Sequence, residues 1–213
     1  MSRDLLAREL LADAVVHALG LALGCVGTAA LIVLAVVAGS LTVLLSLMVY
    51  SAGLLGMLGC SAAYNLLRAS RRRDWLRRFD HAAIFVMIAG TYTPITTLGL
   101  EGAWSVGLTL VIWSIAITGI ALKLWQPRRI EAVSVVLYLA LGWIGLVALD
   151  PLLSSLSGST LGLVAAGGFL YSIGVVFHLW RTLPYHNAIW HGFVLAAAVL
   201  HYMAVLTVIP PSA

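Results

Sequence analysis

Apolar residues run along this chain in seven long blocks, and the polar residues gather in the gaps between them. A membrane-crossing helix needs about 20 mostly apolar residues. Seven segments meet that length, at about 14–38, 41–67, 80–99, 103–124, 131–150, 160–181 and 187–209. Each break has a physical cause. Gly39-Ser40 makes a short turn, Ser70 to Arg78 is densely charged, and Glu101 stands between Gly99 and Gly102. Gln126-Pro127-Arg128-Arg129 ends the fourth block, because proline cannot continue a helix. Asp150-Pro151 is expected to end the fifth, and Arg181 to Tyr185, with Pro184, separates the sixth from the seventh. The blocks are too long and too uniformly apolar for alternating barrel strands, which leaves helices as the spanning structure. The pattern therefore predicts an all-α protein, a seven-transmembrane helix bundle, with residues 1–213 as a single domain.

Composition agrees: 62% of the residues are hydrophobic and 9% charged, against about 25% charged in a soluble domain. Mean hydropathy is +1.06. The first apolar block is longer than a signal-peptide core and is expected to stay as a membrane anchor. The distribution of charge sets the orientation. If the N-terminus lies in the cytoplasm, all twelve basic residues (Arg3, Arg8, Arg68, Arg71, Arg72, Arg73, Arg77, Arg78, Lys123, Arg128, Arg129 and Arg181) fall on the inner side. The positive-inside rule then predicts a cytoplasmic N-terminus and a C-terminus outside. Eleven of the twelve are arginine, a bias that points to a GC-rich bacterial source and so to the bacterial inner membrane. The net charge of +4 gives no ground for nucleic-acid binding, and membrane lipids are the expected partners. Cys25 and Cys60 lie in apolar runs and read as small packing residues.

Ionisable groups are costly in hydrocarbon and mark function by default. Glu9, Asp13 and His17 follow one another at i, i+4 and i+8 along one face of span one. They read either as a capping ladder or as a line that aims His17 into the bundle. Ser61 and Asn65 share a face at the inner end of span two, among small residues (Gly56, Gly59, Ala62, Ala63) that would also serve close packing. Asp80 opens span three, either as a cap or salt bridge to nearby arginines or as a carboxylate aimed at a site. His81 lies about 100° round the helix from it. Pro94 is expected to kink span three, with hydroxyls nearby to satisfy freed carbonyls. Lys123 reads as a snorkelling residue at the end of span four, and His178 as interfacial. Span seven opens with His186, Asn187 and His191 and carries His201 further in. Ser61, Asn65, Asp80, Asn187 and His191 all fall in the cytoplasmic third, which predicts a polar pocket there if spans two, three and seven are neighbours. His17 and His201 are further candidates for its lining.

These residues resemble the hemolysin III family, the bacterial branch of the progestin and adipoQ receptor superfamily. The likeness covers nearly the whole chain. It rests on Glu9…Asp13…His17-Ala18-Leu19-Gly20, on Ser61-x-x-x-Asn65, on Arg77-Arg78-Phe79-Asp80-His81-Ala82-Ala83-Ile84 through Ile88-Ala89-Gly90-Thr91-Tyr92-Thr93-Pro94, and on Asn187-Ala188-Ile189-Trp190-His191 with His201. The resemblance implies seven helices and a zinc site. The ligands would be one histidine from a Ser-x-x-x-His at the end of span two and two from a His-x-x-x-His at the start of span seven. An aspartate at span three and the serine would stand close by, as in alkaline ceramidases. This chain has Asn65 and Asn187 at two of the three ligand positions and keeps His191. Amide oxygens suit calcium better than zinc, so zinc binding at these positions is expected to be weak.

Two functions follow as expectations. The first is a hemolysin III type membrane protein acting on membrane state, through lipid homeostasis or cytolysis. The second is a metal-dependent membrane hydrolase, a lipid amidase with Asp80 as acid/base and Ser61 supporting the oxyanion. A retinal photoreceptor is excluded, since span seven has no lysine for a Schiff base. A transporter is disfavoured by the lack of inverted repeats or broken half-helices.

Overall fold

The computed structural model describes residues 3–125 and 131–210, and these form helices joined by short links. The helices are α1 (Arg3–Ala38), α2 (Leu41–Leu66), α3 (Arg73–Gly99), α4 (Gly102–Trp125), α5 (Glu131–Gly142), α6 (Leu149–Ser155), α7 (Gly158–Leu179) and α8 (His186–Thr207). A 3-10 turn, Ile144–Ala148, joins α5 to α6. Seven segments are long and apolar enough to cross a membrane, with α5, the 3-10 turn and α6 together forming the fifth. The expected break at Gln126–Arg129 lies outside the described residues.

The boundaries differ from the hydropathy reading in three places. α1 begins at Arg3 rather than near Ala14, and α3 begins at Arg73 rather than at Asp80. Charged residues fall outside an apolar window but form helix readily, so both helices extend beyond the apolar run. The fifth span does not end at Asp150-Pro151. Those residues lie in the first turn of α6, where proline is tolerated, and the helix runs on to Ser155. The interruption comes earlier, after Gly142. There the Tyr92 hydroxyl donates to the Gly142 carbonyl at 2.7 Å and accepts from the Gly145 amide at 3.1 Å. One side chain from α3 thus satisfies backbone groups freed at the break, as hydrocarbon surroundings require.

α1 packs on α2 and α8, α2 on α3, α3 on α4, and α7 on α8, while α5 reaches α3, α4 and α7. α3 is the most deeply enclosed of the seven spans. Between apolar helices in lipid, close backbone approach replaces the hydrophobic drive. Gly53 of α2 lies against the Val86 carbonyl, and Gly90 of α3 lies against the Val49 carbonyl, so a Cβ at either would sit 3.1 or 3.2 Å from backbone. Gly56 and Gly59 meet nothing comparable, and the close packing expected of them is carried by Gly53 instead. α3 continues through Pro94 to Gly99. Thr91, Thr93, Thr96 and Thr97 turn their hydroxyls onto carbonyls of the preceding turn.

Two apolar clusters result. One joins α1, α2, α3 and α8 around Leu31, Leu47, Tyr50, Leu54 and Val205. The other joins α3, α4, the fifth span and α7 around Phe85, Ile95, Ile112 and Leu141. Leu11, Val15, Leu19, Leu23 and Val26 of α1 are exposed, an apolar face suited to lipid chains. Cys25 is exposed on the same helix and Cys60 is half-buried, so Cys25 is not the packing residue that its sequence suggests.

Candidate functional site at the arginine-rich end

Arg8 in α1, the Arg68–Arg78 stretch that spans the α2–α3 link and the first turns of α3, and Arg181 before α8 lie at one end of the bundle. The candidate site lies there, on the seam between α1 and α8. Asp13, His17, Gly20, Gly24, Thr28, Leu31 and Ala35 form one buried stripe on α1, at helical spacing. α8 meets this stripe in parallel register. The Glu9 carboxylate accepts the Tyr185 amide at 2.9 Å. Asp13 meets His191, Gly20 packs on Leu195, and the Tyr202 hydroxyl donates to the Gly27 carbonyl at 3.0 Å. Tyr185 is the N-cap of α8 and has φ 60, a left-handed conformation uncommon outside glycine. Glu9 fixes that residue and places an acid at the start of α8, where the helix dipole favours one.

At the centre of the seam, His191 Nδ1 and Asp13 Oδ1 are 2.6 Å apart. The His17 Nε2 lies 3.8 Å from the same oxygen. The two imidazole rings are 4.4 Å apart and inclined at 52°. Asp13 is 2% exposed and His17 5%, so both are held out of solvent and lipid. Asp13 Oδ2 and His17 Nε2 find no hydrogen-bond partner among the described residues. Glu9 therefore bonds the start of α8 rather than capping α1, while Asp13 and His17 point inward.

A second group lies beside it. The Asn65 amide donates to the Ser61 carbonyl at 3.0 Å and to the Ser61 hydroxyl at 3.4 Å. Asp80 lies near Ser61 and His191. Asp80 sits two turns inside α3, so it is not that helix's N-cap. Asn187 lies in the first turn of α8, half-buried. His201 is elsewhere, about 15 Å along α8 from His191 by helical rise. Its Nε2 lies 3.1 Å from the Val164 carbonyl, and its ring packs on Gly167 and Tyr171 of α7.

Two residues acquire a place that sequence reasoning missed. Lys123, expected to snorkel, is 1% exposed. Its Nζ lies 3.1 Å from His81 Nδ1, and the Tyr138 hydroxyl donates to the His81 carbonyl at 2.9 Å. The expected angular separation of Asp80 and His81 is realised: Asp80 turns toward α2 and His81 toward α4. His178 packs its ring on Trp190 at 5.2 Å.

The zinc pattern implied by the resemblance would draw ligands from positions 65, 187 and 191. Two carboxamides and one imidazole are a poor zinc set. Asn65 is engaged with Ser61 and His191 with Asp13. The residues at those positions do not fit that site.

The arrangement sits in a chain whose relatives are clear. A family model described as haemolysin-III related matches residues 7–202. The chain is 35% identical over 199 residues to a Bacillus subtilis (strain 168) protein named hemolysin-3 homolog, spanning 93% of each chain. It is 34% identical over 206 residues to hemolysin-3 of Bacillus cereus, spanning 97% of this chain and 94% of that one. It is 28% identical over 167 residues to the human monocyte to macrophage differentiation factor, spanning 74% of this chain and 67% of that one. The human match fits the expected kinship with the progestin and adipoQ receptor superfamily. With a match over most of its length and seven spanning helices, this chain is a multi-pass membrane protein that belongs to the hemolysin III family.

Proposed function

We propose that this protein acts on membrane state from within the bilayer, through lipid homeostasis or cytolysis, and that its working site is the polar group at the arginine-rich end. One observation carries the reading. Asp13, His17, His191, Asp80, Ser61 and Asn65 gather at one end of an apolar bundle, two of them almost fully enclosed. Intramembrane ionisable groups are costly and persist where they act. The other end offers hydroxyls already bonded to their own helices, such as Thr91, Thr93 and Thr97. That favours handling of a lipid headgroup at one leaflet over conduction through a single chain. The relatives named hemolysin-3 support membrane damage as one visible consequence. The arginine distribution supports a cytoplasmic N-terminus in a bacterial inner membrane, with the site at the inner leaflet.

The test is reconstitution. Purified full-length protein in vesicles of bacterial polar lipid should release an entrapped dye or change the lipid composition read by mass spectrometry. Asp80→Asn, introduced into protein that still folds, should remove the effect. Unchanged leakage and lipid composition with the unaltered protein would reject the reading.

A second reading, hydrolysis of lipid amide bonds, is favoured by the placement of Asp80 beside Ser61 and near His191. It requires fatty acid to appear from an N-acylated lipid, and that product separates it from simple permeabilisation.

A further inference from the structure

We propose that Asp13, His17 and His191 form a site for a divalent transition metal of the zinc class, on the seam between α1 and α8. The assignment places a metal in the polar site proposed above, but it stands or falls on metal content rather than on membrane activity.

The donor geometry comes first. One ligand atom from each of the three residues can be chosen so that all lie within 4.8 Å of one another. Zinc bonds of about 2.0–2.1 Å in a tetrahedral shell put ligand atoms about 3.4 Å apart. Asp13 and His17 stand at i and i+4 on one face of α1, the spacing at which a helix presents two ligands to one ion. His191 arrives from α8, already in contact with both: 2.6 Å from Asp13 and with its ring 4.4 Å from that of His17.

The unused valence of the group is the second, independent observation. Asp13 Oδ2 and His17 Nε2 are buried and without a hydrogen-bond partner among the described residues. An ion pair between Asp13 and His191 accounts for one oxygen and one nitrogen. It leaves the second carboxylate oxygen and His17 Nε2 without a hydrogen bond, and such atoms are expensive to bury. A cation on this group would use them.

Two imidazole nitrogens and a carboxylate oxygen make a borderline donor set. It suits zinc and its first-row neighbours, whereas magnesium and calcium take all-oxygen shells. Three protein ligands leave one position open. The site shares His191 with the pattern implied by the resemblance but neither of its other two positions. The seam supplies from α1 what Asn65 and Asn187 cannot.

The experiment uses full-length protein in detergent, stripped by a chelator, repleted with zinc and freed of excess by gel filtration. Elemental analysis should find one zinc per chain. Asp13→Asn and His17→Gln should each weaken binding by about 100-fold or more, since even groups that only support a ligand are worth about 10–100-fold. Asn65→Ala and Asn187→Ala should leave content unchanged. Cobalt(II) in place of zinc should give visible ligand-field bands that disappear in Asp13→Asn. Melting of the chelator-stripped variants shows that each is folded, and His17→Ala serves if His17→Gln is not. Absence of bound zinc in the folded unaltered protein overturns the proposal, as does zinc that survives Asp13→Asn with His17→Gln but is lost in Asn65→Ala. Membrane activity that persists in protein shown to bind no metal would overturn this site and leave the proposed function intact.

Discussion

Two buried ionisable clusters lie at the same end of the bundle, and they differ in what they can attract. Asp13, His17 and His191 join one carboxylate to two imidazoles across α1 and α8. His81 and Lys123 join an imidazole to an ammonium across α3 and α4, with Arg77 close enough for its charge to be felt. The first offers lone pairs and leaves two atoms unbonded. The second is built around a charged amine, which has donors and no lone pair. Burial alone therefore does not single out a metal site. The sign of the local charge and the presence of free acceptors do.

The change with the largest expected effect on this contrast is Asp13→Ala. It removes the carboxylate that lies beside both imidazoles and leaves His191 Nδ1 without its partner. Breaking one side of a buried pair costs about 3 kcal/mol or more. Unfolding of the metal-free protein in detergent should show that loss, and zinc binding should vanish with it. A loss under about 0.5 kcal/mol, the size of an ordinary exposed-site effect, would mean that Asp13 does not hold the seam.

Lys123→Met comes next. It keeps the length and apolar stem of the side chain while taking the ammonium from His81. A hydrogen bond to a charged group is worth about 1.5–3 kcal/mol, so stability should fall by that order. Zinc content should not change. If zinc were lost here as well, the two clusters would be one coupled network and the comparison would fail.

The seven spans were legible because hydrocarbon imposes a length and a composition that the chain must meet block by block. The Glu9–Asp13–His17 ladder was legible too, as a face. Its partners were not. Asp13 meets His191, 178 positions away, and nothing local reports which helix a face will meet. Lys123 shows the same limit from the other side. Its place near a helix end made snorkelling the economical reading, yet it is buried beside His81 of α3, and position along a helix carries no information about that enclosure. The interruption after Gly142 was hidden because its stabilising group, the Tyr92 hydroxyl, comes from another span. Helix starts at Arg3 and Arg73 were missed because an apolar window ends where charge begins, whereas a helix does not.

The smallest expected effect separates charge from hydrogen bonding at the edge of the metal-capable cluster. Glu9 accepts the amide of Tyr185, the left-handed residue from which α8 starts. Glu9→Gln keeps an acceptor oxygen and loses only the charge at the helix N-terminus, an effect of about 0.3–1 kcal/mol at low salt that screening reduces. Glu9→Ala loses the acceptor as well and should cost about 1 kcal/mol, the usual worth of a cap. The difference between the two, read from unfolding at low and high salt, isolates the hydrogen bond, because only the charge contribution responds to ionic strength. Zinc affinity should drop modestly in Glu9→Ala and stay near the unaltered value in Glu9→Gln. The reason is mechanical: the start of α8 fixes the rotation of that helix, and His191 lies less than two turns further on. Equal zinc affinity in all three proteins would show that Asp13 alone sets the position of His191.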